Sequence, residues 1–545
     1  MTTPADRIFV GGRVVTMADS ASEPSALAVR DGVIVAVGDD DVLELRGDRT
    51  EVVDLDGGAL LPGFVDAHLH AVAGGLARLG CDLSGVHSLE DYRRIISDFA
   101  AAYAGPWIEG SGWYGDVFPG GFPTKEELDR LVPDRPAVFV SHDVHSTWVN
   151  SRALEAAGID RSTPDPQGGR ITRDEHGEPT GQLMEMASEL LSPFRPRLSS
   201  DVLDAALVEA QSYLHSVGIT SWQDALVGEL FGIPDCYDVY ARAATDGTLR
   251  SRVTGALFWV PGRDLADAGE LIERRRTADA RFRTTAVKVA LDGVCENLTA
   301  ALHEHYAGHP DECGLPFFGA EEIAAVARLF SSEGFDLHMH AVGDKAVSTA
   351  LDALTGLPDA GARRHQVAHI DLIRLDDVGR MREVGAIANV SPLWARQDPV
   401  LVETKLPLLT ADQQARHFLF GSLRRGGVPV AFGSDWPVST PDPIAGLHTA
   451  VNRTAAPGDP HASDLRSRTE PLLAHERLSL DDALRAATWQ AARAARLDEH
   501  AGVLAVGRAA DLVVLDHDPY AVERVDLGEV RVAQTFVAGE RVFAR

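Results

Sequence analysis

Short apolar runs recur through the middle of the chain, each separated from the next by a stretch with helical spacing of its apolar positions. They read "SVGITSWQDA", "RVTGALFWV", "TAVKVALDG", "FDLHMHAVGD", "RHQVAHIDLI", "GAIANVSP" and "PVAFGSDWPV", with "FVDAHLHA" well upstream. Strands that alternate with helices pair in parallel, because a parallel connection needs a crossover long enough to hold a helix. About seven or eight such units predict a closed (β/α)8 barrel of the α/β class. In that architecture chemistry sits at the carboxyl ends of the strands, and several of these runs close on His or Asp.

The flanks have a different texture. Residues 7–60 read as short strands, among them "ALAVR" and "VIVAVG" joined by Asp31-Gly32, a pair suited to the positive φ angles of a two-residue hairpin turn. Similar strands return in "ADLVVLDHDP" and "VAQTFVAGERVFA". The expected organisation is a barrel over 63–496 and a small β-sandwich assembled from 1–62 and 497–545. Residues 78–200 break the alternation with Gly-, Pro- and aromatic-rich stretches such as "GPWIEGSGWYGDVFPGGFP", and are expected to form an insertion over the barrel mouth.

At 545 residues and 45% hydrophobic content the chain can bury one or two sizeable cores. Its 51 Lys and Arg against 81 Asp and Glu give a formal charge of -30, which argues against nucleic acid or an anionic membrane as partner. Cys81, Cys236, Cys295 and Cys313 form no CxxC pair and cannot be a disulfide framework in a chain this long, which fits a reducing cytoplasm. No window is long and apolar enough for a membrane span, and no basic head precedes an apolar core at the amino end, so neither insertion nor secretion is signalled.

The candidate chemistry begins in "ALLPGFVDAHLHAVAGG". Side chains two apart on a strand share a face, so His68 and His70 can enter the barrel together and hold one metal ion. The competing reading is a pair of histidines that cap the strand by hydrogen bonding. His340, His369 and Asp435 each follow a later apolar run and can converge with the first pair. His338, one layer deeper than His340, suits packing or orientation of a ligand better than ligation. Lys288 sits inside an apolar strand. Burial there depresses its pKa, and a neutral amine can add carbon dioxide to give a carbamate that bridges metal ions. A lysine reaching the barrel rim, or pairing with Asp292, is the alternative.

The ordered set "PGFVDAHLH", "KVALDG", "HAVGDKA", "HQVAHID" and "FGSDWPV", with "GVLAVGRAADLVVLD" near the carboxyl end, resembles the amidohydrolase superfamily, and within it the amidohydrolase-3 or YtcJ-like branch that includes N-substituted formamide deformylase. The resemblance implies that His68 and His70 bind one metal ion and His340 and His369 another. It also implies that carboxylated Lys288 bridges the two, and that Asp435 is both ligand and general base. Zinc is the expected metal, with one or two ions per chain, and the glycines after His70 would give the backbone room around it. Cys295 competes with Lys288 for the bridging role, since some related hydrolases use a thiolate there. The loop "DGVCENLTAALHEHY" is similar to that of the formamide deformylases, which makes Asp292, Glu296 and Asn297 pocket candidates against a plain loop-capping role. From the insertion, Trp113 and His145 are expected to face substrate.

The function implied is hydrolysis of a carbon–nitrogen bond in a small neutral N-substituted amide. Cyclic-amide hydrolysis or deamination on the same site is the second reading, and a catalytically silent binding protein the third. The implied partner is a small-molecule amide, and a homodimer is one assembly the chain admits.

Overall fold

The computed structural model describes the chain apart from residues 1–2, 19–23, 119–120, 122, 167–168, 230–233, 277–278 and 359. Eight strands lie side by side: β1 (Phe64–Leu69), β2 (Ile219–Val227), β3 (Arg252–Phe258), β4 (Phe282–Ala290), β5 (Asp336–Ala341), β6 (Gln366–His369), β7 (Ile387–Val390) and β8 (Val430–Phe432). They pair in that order, and every pairing is parallel. Each apolar run read from the sequence is one of these strands. They read as nearly unbroken apolar runs because one face packs into the barrel and the other against helices.

The two edge strands meet just past the end of β8. Asp435 N donates to His68 O at 2.7 Å and His70 N to Trp436 O at 2.8 Å, while the Asp66 carboxylate accepts from Ser434 N at 3.1 Å. A Cβ on Gly433 would stand 2.4 Å from His68 Cβ, so glycine is what lets the chain run this close to β1. The barrel is therefore drawn together beside His68, His70 and Asp435.

Outside the sheet, the helix Ser200–Ser216 shows how the covering layer forms. Ser199 caps it by accepting from Val202 N, and Leu203, Ala206, Leu207, Ala210 and Leu214 bury one stripe at helical spacing. That stripe packs against the helix Ala71–Leu79 that leaves β1. Close approach explains the glycines after His70: a Cβ on Gly75 would lie 1.9 Å from Ala206 O, and one on Gly74 would lie 2.5 Å from the Trp436 ring. They serve this contact and that with Trp436, and not the space around a metal, as the sequence suggested.

Two further sheets form the sandwich. One runs in the order Val33–Gly38, Ala26–Arg30, Arg7–Val10, Glu51–Asp54. Its hairpin turns at Asp31 and Gly32, with φ of 51° and 74°. The other joins Arg13–Val14 and Ala59–Pro62 to Leu512–Leu515, Val532–Val537 and Glu540–Ala544. Phe9, Leu27, Leu60, Leu512 and Phe536 share the core between them.

The insertion has a sheet of its own. Six strands run in the order Gly169–Arg173, Pro179–Glu185, Ser146–Val149, Ala137–Ser141, Ile108–Trp113, Cys81–Asp82, with Trp148, Phe139, Trp113, Tyr92 and Leu128 packed together on it.

Candidate metal centre

The carboxyl ends of β1, β4, β5 and β6 and the turn after β8 deliver the candidate ligands to one place. His68 lies on β1 and His70 one residue beyond it, and their rings are 5.5 Å apart. Asp435 follows β8 with φ of 58°, and His369 closes β6 with φ of 75°. Left-handed backbone at both positions is strain held by the surrounding packing, as is common where function fixes a side chain.

His68 Nε2 and His70 Nε2 stand 3.3 and 3.1 Å from Asp435 Oδ1, and donor atoms of the three residues fall within 4.8 Å of one another. Nitrogen and oxygen donors held at about 2.0–2.1 Å from a common ion stand at comparable separations. Two imidazoles and a carboxylate are also the donor types a borderline divalent ion takes. His369 lies alongside, its ring 4.8 Å from that of His68 and 4.5 Å from that of His340. Its Nδ1 is buried with no hydrogen-bond partner and lies 4.0 Å from Asp435 Oδ2. A buried ring nitrogen with no partner is an unsatisfied polar atom, and in the tautomer that leaves it unprotonated its lone pair is free for a cation. The residues present fit a metal ion.

Electrostatics leave these groups in the protonation states a metal ligand needs. Burial, and then the charge of Lys288, push His68 and His340 down to about 3, which keeps both rings neutral. Burial works against ionising Asp435, but His68 and His70 beside it hold the carboxyl well below its usual range. Lys288 is 4% exposed, with Nζ 3.3 Å from His68 Nε2, and burial lowers it to about 8. It neither reaches the rim nor pairs with Asp292. His338 Nε2 meets His68 Nδ1 at 2.8 Å, behind the candidate ligand and one rung deeper.

His340 is turned toward the loop after β4. Its Nε2 lies 3.2 Å from Gly293 O and 3.6 Å from Asp292 Oδ1. Asp292 itself accepts from Ala301 N, Val342 N and Gly343 N at 2.8 to 3.0 Å and is 1% exposed. It is the loop cap, and not a pocket residue. Cys295 is sealed among Ala300, Leu302, Tyr306 and Leu372, and burial pushes its thiol well up, which removes it as a rival to Lys288.

Trp113 also differs from expectation. It is 2% exposed, donates its indole N–H to Phe139 O at 2.8 Å and packs edge-on to Phe118. The insertion uses it as core, so it has no face to offer substrate. His145 does arrive near the centre, within electrostatic reach of His340. Burial disfavours its charge, but Glu185, 2.9 Å from Nδ1, raises it to about 9. Glu185 also accepts from Asn297 Nδ2 at 2.8 Å, which joins the insertion to the loop after β4. Glu296 pairs with Lys405 at 3.0 Å, and Lys405 in turn with Asp371 at 2.7 Å.

Three of these neighbours were not anticipated. Trp394, just after β7, stacks on His369 at 5.4 Å and 5°. Its signal was its place directly after an apolar run, where barrel sites gather. Glu185 and Lys405 carry no such mark.

A parallel eight-stranded barrel with imidazoles and a carboxylate gathered at its carboxyl end defines the class of barrel hydrolases that work with a metal. The sequence profile of the amidohydrolase family matches residues 51–543, and the chain belongs to that family. It is 31% identical to Protein LONG AFTER FAR-RED 3 of Arabidopsis thaliana, over 99% of this chain and 92% of that one. It is 27% identical to the N-substituted formamide deformylase of Arthrobacter pascens, over 99% and 98%. Among solved structures it is similar to an uncharacterized metal-dependent hydrolase from Pyrococcus horikoshii OT3, with TM-score 0.73 and 25% identity over 95% of this chain and 99% of that one. The chain is thus a hydrolase of the metal-dependent amidohydrolase superfamily. Among the described residues no helix is long and apolar enough to cross a membrane.

Proposed function

We propose that His68, His70, His340, His369 and Asp435 hold one or two divalent ions, zinc foremost, with Lys288 as a bridging carbamate. We further propose that the centre hydrolyses the carbon–nitrogen bond of a small neutral N-substituted amide, a formamide in the first instance. The observation that carries the hydrolytic reading is the meeting of His68 Nε2, His70 Nε2 and Asp435 Oδ1 at the barrel mouth.

A divalent ion held there supplies Lewis acidity toward a carbonyl and a source of hydroxide at neutral pH. Lys288, lowered to about 8, has a neutral amine fraction that adds carbon dioxide and sheds a proton to give the carbamate. Asp435, ionised, accepts the proton of the attacking water and passes it to the departing nitrogen. The carbon–nitrogen bond breaks as a carbon–oxygen bond forms, leaving a carboxylic acid and an amine. His145 offers its Nε2–H to substrate while Glu185 holds Nδ1. Glu296 and Asn297 border the approach, and Trp394 takes the apolar role first given to Trp113.

The choice of a formamide rests on the full-length similarity to the deformylase and on the loop 292–306. A charge of -30 favours a neutral substrate over an anionic one. The four cysteines are free thiols, in keeping with a cytoplasmic location. The test is to incubate metal-reconstituted protein with N-benzylformamide, a lactam and an N-acyl amino acid, and to assay amine and formate. Release of both from the formamide supports the assignment. Turnover of a competitor alone overturns the substrate, and no hydrolysis of any amide overturns the carbon–nitrogen reading.

A further inference from the structure

Beneath the centre lies a layer of polar side chains from four strands: Gln223 of β2, His338 of β5, Gln366 of β6 and Asn389 of β7, each no more than 2% exposed. They form one hydrogen-bonded chain that ends on His68, and its direction is fixed at two backbone carbonyls. Ala494 O can only accept, so the Gln366 group facing it at 3.0 Å is the NH2. Ala67 O can only accept, so Asn389 presents its NH2 at 2.9 Å, and the same NH2 donates to Gln366 Oε1 at 2.8 Å. The two anchors agree on the orientation of Gln366.

The rest follows link by link. Gln366 Nε2 lies 2.8 Å from Gln223, whose facing atom must accept and is therefore Oε1. That oxygen also faces His338 Nδ1 at 3.2 Å, so Nδ1 carries the hydrogen. Turning Gln223 over would set its NH2 against that of Gln366, although the present orientation leaves Gln223 Nε2 without a partner. The His338 ring is fully buried, with both nitrogens taken by Gln223 and His68, and a second proton there would bury an uncompensated cation. His338 Nε2 is thus a lone pair, and His68 must donate Nδ1–H to it at 2.8 Å. His68 Nε2 is left unprotonated: the Lys288 ammonium, 3.3 Å away, is the donor that meets its lone pair, while Asp435 Oδ1 pairs with His70 Nε2 at 3.1 Å.

We propose that Gln366, Gln223 and His338 are positioning residues that lock His68 in its Nδ1–H tautomer, with the orientation set by the carbonyls of Ala494 and Ala67. The functional value of the lock rests on the reading of His68 as a metal ligand through Nε2, since partners behind a ligating histidine fix its tautomer and ring angle. The lock itself is a property of the metal-free protein.

The test begins with metal-free, histidine-15N-labelled wild type at neutral pH. Long-range proton–nitrogen correlations, assigned with His68→Gln and His338→Gln, should show both rings as neutral Nδ1–H tautomers. A His68 ring protonated at Nε2 overturns the proposal. Zn²⁺ affinity, measured by competition with a chelating dye, is the second readout. Gln223→Leu removes the acceptor and should weaken binding about tenfold or more, whereas Gln223→Glu keeps an acceptor oxygen and should stay within about threefold of wild type. Equal weakening by both would reduce the chain to packing and also overturns the proposal. Failure of the metal reading shows separately, as Zn²⁺ affinity untouched by His68→Ala while the tautomer spectra stand.

Discussion

Lys288 Nζ and His68 Nε2 face each other at 3.3 Å, both buried. An ammonium hydrogen and a metal ion compete for the same imidazole lone pair, so a loaded centre requires Lys288 to give up its proton. Burial already brings the lysine down to about 8. Metal affinity should accordingly rise with pH up to about 8 and level off above it. Lys288→Ala should turn over substrate at least about a hundredfold more slowly, the scale of a lost catalytic group. Short carboxylic acids, which can occupy the place of the carbamate, should partly rescue it. Full activity of Lys288→Ala at ambient metal would exclude the bridge.

Replacing His68 or His70 with alanine should remove metal and turnover together, because the two nitrogens and Asp435 share one small space. Elemental analysis of the purified variants is the measurement. Active wild-type protein holding less than about a tenth of an equivalent of metal would count against a metal centre of this kind.

Asp435→Asn isolates proton transfer. Asparagine tolerates left-handed backbone well, and Asp435 has φ of 58°, so the turn should survive the change. Turnover should fall about a hundredfold or more, the scale of a lost general base, with the melting temperature nearly unchanged. Retained turnover with metal still bound would take Asp435 out of the mechanism.

The His145–Glu185 pair gives a pH signature of the insertion. Its folded pKa is raised from 6.5 to about 9, so the stabilisation it contributes is complete below pH 6.5 and is lost as pH rises through about 9. The contribution is on the order of 2 kcal/mol, after a discount for a partly solvated ring. His145→Gln should melt lower than wild type near neutrality, with the gap closing in alkali. A gap independent of pH would mean that the ring is not charged in the folded protein.

The barrel was legible because its strands are buried on both faces, so each appears as an apolar run, and the candidate ligands fall at or near the carboxyl ends of five of them. His68, His70, Lys288, His340, His369 and Asp435 all stand out by type and place. The inserted sheet was not legible. "IEGSGW" and "GRITR", two of its strands, are short, glycine-bearing and partly polar, and no alternation marks them. Trp113 and Trp394 are equally conspicuous as letters. Only burial shows that one fills a core and the other lies on His369. Asp292 was left open between pocket and loop cap for a similar reason: three backbone N–H groups from two segments converge on it, and such convergence has no local trace.

The strand Ala59–Pro62 pairs with Leu512–Leu515, and β1 begins two residues after Pro62. During synthesis, some 450 residues leave the ribosome between those partners. At about 5–20 residues per second, that is a wait on the order of half a minute or more. Throughout that interval Leu60 and Leu61 present an open, apolar strand edge, of the kind other chains can add to. The segment beside His68 and His70 thus needs shelter while the protein is being made.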